Sequence, residues 1–301
     1  VRSRLRTALE LARLSNAPTV VSNVLAGAAL GGLAVSAEAP LGPWSAILRV
    51  AIACVALYAA GMALNDLLDR TIDASERPHR PFPSGRATPA GVLVGVVALV
   101  ALALSLLATV SLATLAAGAT LVLLIVAYDV VHARTAWSVL FMGSCRAMTY
   151  LVAASIHGVP ERPATIVGPA FLLLLFVAAF SVVARREASG AKGPLLGPAA
   201  SFLSLLLLPA ALLVPGGLEQ GGMLLAATLT LALCIVAAMT KAALELLHRP
   251  PRIPAAIALF IATIALYDGY LLLLAGSLSG ASLAIACFIA TRIAQRRIAG
   301  T

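Results

Sequence analysis

The chain has 301 residues, of which 61% are apolar and 11% charged, and its mean hydropathy is +1.02. Soluble domains run about 45–50% apolar and about 25% charged, and disorder needs low hydrophobicity with dense charge, so both classes are excluded. The net charge of +9 does not mark a nucleic-acid binder, because the basic residues fall between long apolar segments, as in a polytopic membrane protein.

The chain opens on VRSRLRTALELARL, which is basic and amphipathic and is not followed by the short apolar core and small-residue cleavage site of a signal peptide. A bilayer core about 30 Å thick needs roughly 20 apolar residues as helix. That length predicts spans over about 16–36, 45–64, 89–109, 111–131, 137–157, 164–184, 197–214, 222–246 and 254–275, and a shorter one at 280–295. The segments are long, unalternating and rich in Leu and Ala, which excludes a β-barrel of about ten-residue dyad-patterned strands. The expected fold is therefore an all-α polytopic membrane protein, a single transmembrane domain over 1–301. Cys54, Cys145, Cys234 and Cys287 all lie in apolar runs without metal-site spacing and read as small apolar residues.

Charge sets the orientation. The N-terminus, alternate loops and the C-terminus hold 17 of the 21 basic residues, whereas the opposite loops hold only Arg162. The positive-inside rule places the rich set, and both termini, in the cytoplasm. An even number of crossings follows, so 280–295 either crosses the membrane, the preferred reading, or lies along its cytoplasmic face.

Acidic residues are scarce and uneven. Of the 12 in the chain, Asp66, Asp69, Asp73 and Glu76 fall in one short stretch where the second span ends. Asp66, Asp69 and Asp73 stand at i, i+3 and i+7, and project from one face of a helix, with Asn65 on its border. Unpaired carboxylates there would repel one another. A hard cation neutralises them, and Mg²⁺ typically takes one or two carboxylates plus phosphate oxygens. Arg77, His79, Arg80 and Arg86 follow, among Pro78, Pro81, Pro83 and Gly85. A proline-stiffened loop of guanidinium groups suits an anion such as diphosphate. The plain alternative is a solvated loop with Asp66–Arg70 and Asp73–Arg77 pairing.

N-D-x-x-D-x-x-x-D at the end of the second helix, followed by R-P-x-R-P-x-P-S-G-R, resembles the first aspartate-rich motif of the UbiA superfamily of intramembrane prenyltransferases. RLSNAPTVVSNVLAG at 13–27 is similar to the family's first-helix opening, and Tyr128–Asp129 to its Tyr-polar pair after the fourth helix. The resemblance implies a bundle of nine to ten transmembrane helices around a central cavity, in a plasma membrane taken to be bacterial, with the active site facing the cytoplasm. It implies Mg²⁺-dependent transfer of a prenyl group from an allylic polyprenyl diphosphate to an aromatic or hydroxyl-bearing acceptor. Asn65, Asp66, Asp69 and Asp73 would be catalytic. Asp66, Asp69, Asp73 and Glu187 would hold metal. Arg77, Arg80, Arg86, Asn23, Arg146, Lys192, Tyr128 and Asp129 would bind substrate. The expected partners are the polyprenyl diphosphate, an acceptor of unknown identity and the bilayer, with no nucleic acid.

The family's second motif, D-x-x-x-D after the sixth helix, is missing: VVARREASGAKGP at 182–194 holds Glu187 as its sole carboxylate. Either Glu187 alone helps hold a metal, or Arg185, Arg186 and Lys192 replace it, or catalysis has been lost. This departure resembles a divergent branch of the family found in Ebo-type gene clusters, whose acceptor would be a polyol or cyclitol.

Ionisable residues inside a membrane cost about 2.5–3.5 kcal/mol at mid-bilayer on insertion scales, so they are functional candidates. Arg146, in the fifth span, could meet diphosphate or an acidic acceptor, or serve packing. Asp268, in the ninth, could bind the acceptor, act as a base or pair with another helix. Asn23 could line the mouth of the site or bond between helices, and Asp129 and His132 could supply a base or cap a helix. Lys241 and Glu245, four apart, are expected to pair. Two other classes compete: a catalytically degenerate diphosphate-binding relative, and a lipid transporter hinted at by Asp268 and Arg146. A CDP-alcohol phosphotransferase is excluded, because D-G-x-x-A-R followed by G-x-x-x-D-x-x-x-D does not occur.

Overall fold

The computed structural model describes residues 2–32, 41–132, 135–188, 207–219, 221–248 and 250–297, and these are helices and turns without a strand. The helices are α1 (Arg2–Leu11), α2 (Ala17–Leu30), α3 (Leu41–Leu68), α4 (Arg70–Glu76), α5 (Pro89–Ala108), α6 (Leu112–Val131), α7 (Ser138–Ala154), α8 (Ala164–Ala188), α9 (Gly222–Leu247), α10 (Ile253–Leu274) and α11 (Leu278–Gln295). Seven of them are long and apolar enough to cross a bilayer: α3, α5, α6, α8, α9, α10 and α11. α7 is a shorter apolar helix, and α2 spans 14 residues. Of the predicted span 197–214, only 207–214 is described, and it forms a short 3₁₀ turn, Leu208–Leu212.

Local chemistry explains where helices begin. Thr88, Ser111 and Ser277 accept a hydrogen bond from the backbone N–H three residues on, at the starts of α5, α6 and α11. Such caps satisfy donors that helix geometry leaves orphaned. Prolines stand in the first turns of α2, α5 and α10, where a missing N–H costs nothing.

The helices divide into a core and a lipid-facing shell. In α10, 89% of the apolar window is buried, against 17–22% in α5, α6, α9 and α11. α10 packs on α2, α8, α9 and α11, and α2 also packs on α3 and α7. Small residues let α2 and α7 approach closely: a Cβ on Gly27 would lie 2.6 Å from the Tyr150 carbonyl oxygen, and one on Gly31 would lie 2.7 Å from Ala154 Cα. This small-xxx-small pairing is how membrane helices gain contact where lipid supplies no hydrophobic drive. The shell accounts for the fate of the cysteines. Cys54 is buried as expected, but Cys234, on α9, faces outward.

The Lys241–Glu245 pair does not form. Lys241 is exposed, and the Glu245 carboxylate lies 3.7 Å from Arg252 and 3.9 Å from His248, because the chain turns back after α9 and brings these cations closer.

Candidate active site

The polar residues of the Asn65–Thr88 segment gather where α3 ends. Asp69 interrupts the helix with φ −82° and ψ 2°, and α4 starts afresh behind it. That kink separates the three aspartates, which the heptad spacing had put on one face. Asp66 and Asp73 remain together, both buried, and both converge on Arg80: Nη1 donates to Asp66 at 3.2 Å and to Asp73 at 3.0 Å. Asp69 turns instead to His132, with Nε2 2.9 Å from each carboxylate oxygen. Asp66 pairs with Arg13 and Arg80, not with Arg70, whose guanidinium bonds the Leu67 carbonyl. The Asp73–Arg77 pair does form, at 3.5 Å.

Arg13 is a site residue that the sequence reading used only as an orienting charge. Its Nη2 donates to Asp66 at 3.0 Å. Its backbone is left-handed, φ 42° and ψ 46°, alone among the described residues other than glycine. For a non-glycine residue this costs roughly 1–2 kcal/mol, and such strain persists only where the surroundings fix it. Burial disfavours the Arg13 cation, but Asp66, with Tyr58 and Tyr128, outweighs it and raises the pKa, so the guanidinium stays charged. Its place at the turn before the first span, in RLSNAP, was the available signal.

His132 has acceptors at both ring nitrogens: the Asp129 carbonyl at 3.0 Å from Nδ1 and the Asp69 carboxylate at Nε2. Both contacts favour imidazolium, and the bond to Asp69 is the main cause of the raised His132 pKa. Asn65 lies 3.3 Å from the same Nε2, and Tyr128 stacks on the imidazole with ring centroids 5.3 Å apart. The Asp129 carboxylate is buried with no hydrogen-bond partner among the described residues.

Other predicted residues stand elsewhere. Arg86 is not free for a substrate: it donates to Glu10 at 2.5 Å, to Ser84 and to the His79 carbonyl, and so fastens the proline loop to α1. Burial raises the Glu10 pKa, but Arg86 and Arg6 outweigh it and hold the carboxyl below its usual range. Asn23 does not line a mouth. It is fully buried between α2 and α10, where its amide donates to Asp268 at 2.9 and 3.0 Å. Arg146 donates to Asn23 and Thr19, each at 2.9 Å, over the Tyr58 ring. Lys192 lies outside the described residues. Glu187 sits at the end of α8, with its side chain outside them too.

Among the described residues, no three His, Cys, Asp or Glu side chains converge to hold a metal together. The Asp66–Asp73 pair does fit one. Its oxygens already share a single cationic nitrogen of Arg80, and hard oxygen donors are what Mg²⁺ takes, completed by phosphate oxygens. An apolar crevice of about 290 Å³, counting its open side, lies between α3, α5 and α6. It reaches Leu64, beside Asn65, and Ile125 and Val126, just before Tyr128 and Asp129.

Comparison with known proteins gives the family and the fold. A model of the UbiA prenyltransferase family matches residues 24–264. Digeranylgeranylglyceryl phosphate synthase from Methanopyrus kandleri is 39% identical over 85 residues, 28% of this chain and 28% of that protein. The synthase of the same name from Natronomonas pharaonis is 40% identical over 104 residues, 34% of this chain and 35% of that one. The chain thus spans about a third of the length of the curated relatives it matches. A UbiA homologue from Aeropyrum pernix K1 superposes with a TM-score of 0.64 at 18% identity, covering 84% of this chain and 96% of that one. Another from Archaeoglobus fulgidus, bound to DMAPP and Mg²⁺, superposes with 0.62 at 14%, covering 94% and 99%. At such identities the likeness is one of fold.

Proposed function

This chain belongs to the UbiA prenyltransferase family, and from that premise we propose that it transfers a prenyl group from an allylic diphosphate to a hydroxyl-bearing acceptor at the membrane. The observation that carries the reading is the convergence of Asp66 and Asp73 on Arg80, with Arg13 on Asp66. Two buried carboxylates and two guanidinium groups at a helix end form a site whose partners can be exchanged for a metal and a diphosphate.

In this reading Asp66 and Asp73 hold Mg²⁺, and Asp69 joins them if it leaves His132. The bound ion would supply positive charge against the leaving diphosphate. Arg13, Arg80 and Arg77 then bind the diphosphate oxygens and stabilise the charge that builds on them as the allylic C–O bond breaks. The α3–α5–α6 crevice receives part of the apolar chain and keeps water from the allylic cation. Asn65 and Tyr128 help shape the site. Asp129, whose buried carboxylate has no hydrogen-bond partner among the described residues, would accept a proton from the acceptor.

A hydroxyl acceptor is favoured over an aromatic carbon because the relatives named above are digeranylgeranylglyceryl phosphate synthases, whose name couples prenyl groups to a glyceryl unit. The same relatives do not speak for the Ebo-type branch. They are archaeal, so the expectation of a bacterial membrane gives way to that of a plasma membrane. By the positive-inside rule, the distribution of basic residues would put the site on its cytoplasmic side.

The test is reconstitution with labelled geranylgeranyl diphosphate, Mg²⁺ and a panel of acceptors. Product that requires Mg²⁺ and disappears in Asp66→Ala supports the reading. Diphosphate binding without any product would favour the degenerate relative, a reading that the missing second aspartate motif keeps open.

A further inference from the structure

The proposed reaction leaves one buried charge unused. Asp268, on α10, is fully buried, and all its partners are neutral: Ser22 Oγ donates at 2.5 Å, Asn23 Nδ2 at 2.9 and 3.0 Å, and Tyr150 Oη donates as well. No cation touches it. The nearby Arg146 makes no ion pair among the described residues, and Asn23 stands between the two. The carboxylate and the guanidinium bind opposite ends of the same amide. Here they are held apart by an amide.

That amide has one possible orientation. Both Asp268 oxygens accept from Nδ2, so Asn23 Oδ1 must face away, and it accepts from Arg146 Nη1. Thr19 is fixed in the same manner: its hydroxyl donates to the Asn16 carbonyl at 2.7 Å, which leaves its oxygen to accept from Arg146 Nη2. The guanidinium plane lies over Tyr58, with Cζ 5.6 Å from the ring centroid. Arg146 is thus locked in place, and among the described residues its Nε and one hydrogen on each Nη are unused and no carboxylate touches it. A partly buried cation in that condition attracts an oxyanion, and the guanidinium fork matches phosphate or carboxylate.

The site is separate from the Asp66 cluster. Tyr58 and Asp66 are eight residues apart on α3, about 12 Å along the helix at 1.5 Å per residue. The cluster already has Arg13 and Arg80 for a diphosphate. The two are linked, since Tyr58 Oη donates to the Arg13 carbonyl at 3.3 Å.

We propose that Asp268 is a positioning residue which, through Asn23, presents Arg146 as a second anion site inside the membrane, and that this site takes the oxyanion of the prenyl acceptor. The proposal rests on the prenyl-transfer reading for the word acceptor only, so its test is binding rather than turnover. The full chain in nanodiscs is titrated with glycerol phosphate and with 4-hydroxybenzoate, to distinguish a phosphate-bearing from a carboxylate-bearing acceptor. Inorganic diphosphate with Mg²⁺ reports on the other site. Arg146→Gln is expected to weaken one of the first two at least tenfold. Asp268→Asn, nearly isosteric, should weaken the same one several-fold, with an unchanged melting temperature. Both variants should bind diphosphate as the parent does. Should Asp268→Asn fail to fold, Thr19→Val, nearly isosteric and lacking the oxygen that accepts from Arg146 Nη2, is expected to weaken the same binding. Wild-type affinity for both acceptor probes in Arg146→Gln would overturn the site, and wild-type affinity in Asp268→Asn would reduce that residue to packing. Binding that depends on Arg146 and Asp268, without prenyl transfer under any condition, would keep the anion site and sink the transfer reading.

Discussion

The protein handles its buried charges in two ways. At the mouth of the candidate site, where α3 ends, charge meets charge: Asp66 and Asp73 face Arg13, Arg80 and Arg77, and Asp69 faces His132. Within the bundle, Asp268 and Arg146 are each held by neutral donors and acceptors, and never touch. The mouth borders water, where an ion pair can open and its partners be exchanged at modest cost. In the interior, an opened pair would leave two unsolvated ions, so hydrogen bonds fixed by packing replace it. Exchangeable pairs suit a site that must admit a diphosphate and release it. Fixed ones suit a site that must keep its shape.

The contrast can be broken at several points. The largest effect is expected from Asp66→Ala, which removes the carboxylate shared by both arginines. Product formation from labelled diphosphate should fall by roughly 10²–10³, as when one preorganised electrostatic contact is lost. Arg80→Ala removes the cation common to Asp66 and Asp73 and leaves buried carboxylates to the remaining arginines. Breaking such a pair costs about 3 kcal/mol or more when it is deeply buried. A clear drop in melting temperature is expected, partly restored by Mg²⁺ if those oxygens hold metal; the absence of any restoration would count against the Asp66–Asp73 metal pair.

Gly27→Val tests the interior instead. The new side chain would meet the Tyr150 backbone, and overpacking of this kind costs typically 1–3 kcal/mol. Because Tyr150 also holds Asp268, the variant should lose stability and binding at Arg146 together, while Asp268→Asn should lose the binding alone. The smallest effect is one of pH. The His132 pKa is raised by Asp69 in the folded state, so this pair's stabilisation is fully present below the unfolded value, about 6.5. It is lost as the pH rises through the folded value. The melting-temperature difference between the parent and His132→Gln should therefore shrink from pH 6 toward alkaline pH; a constant difference would mean that the imidazolium is not what matters.

The membrane class, most of the spans and the family were legible in the sequence because each rests on local quantities: runs of about 20 apolar residues and one contiguous motif. Asp66, Asp73 and Arg80 were legible for the same reason, since they lie within one turn-and-loop segment. The relation of Asp69 to the other two was not. A helical wheel assumes an unbroken helix, whereas the chain breaks at Asp69, whose carboxylate meets His132, 63 residues away. Arg86 was misplaced because its partner, Glu10, lies in another element.

What tertiary structure alone decided is the choice among roles for a residue whose type was already known. Asp268 was visible in the sequence as an expensive intramembrane carboxylate. Whether it served as a base, a ligand or a helix partner depended on Ser22, Asn23 and Tyr150, which reach it from two other helices. Arg13 was visible as a positive charge, and became part of the site only when α3 carried Asp66 to it. Hydropathy and net charge add up residue by residue, so the order of the chain determines them. A hydrogen-bond network depends on the few ångströms between elements far apart in sequence, and packing alone sets those.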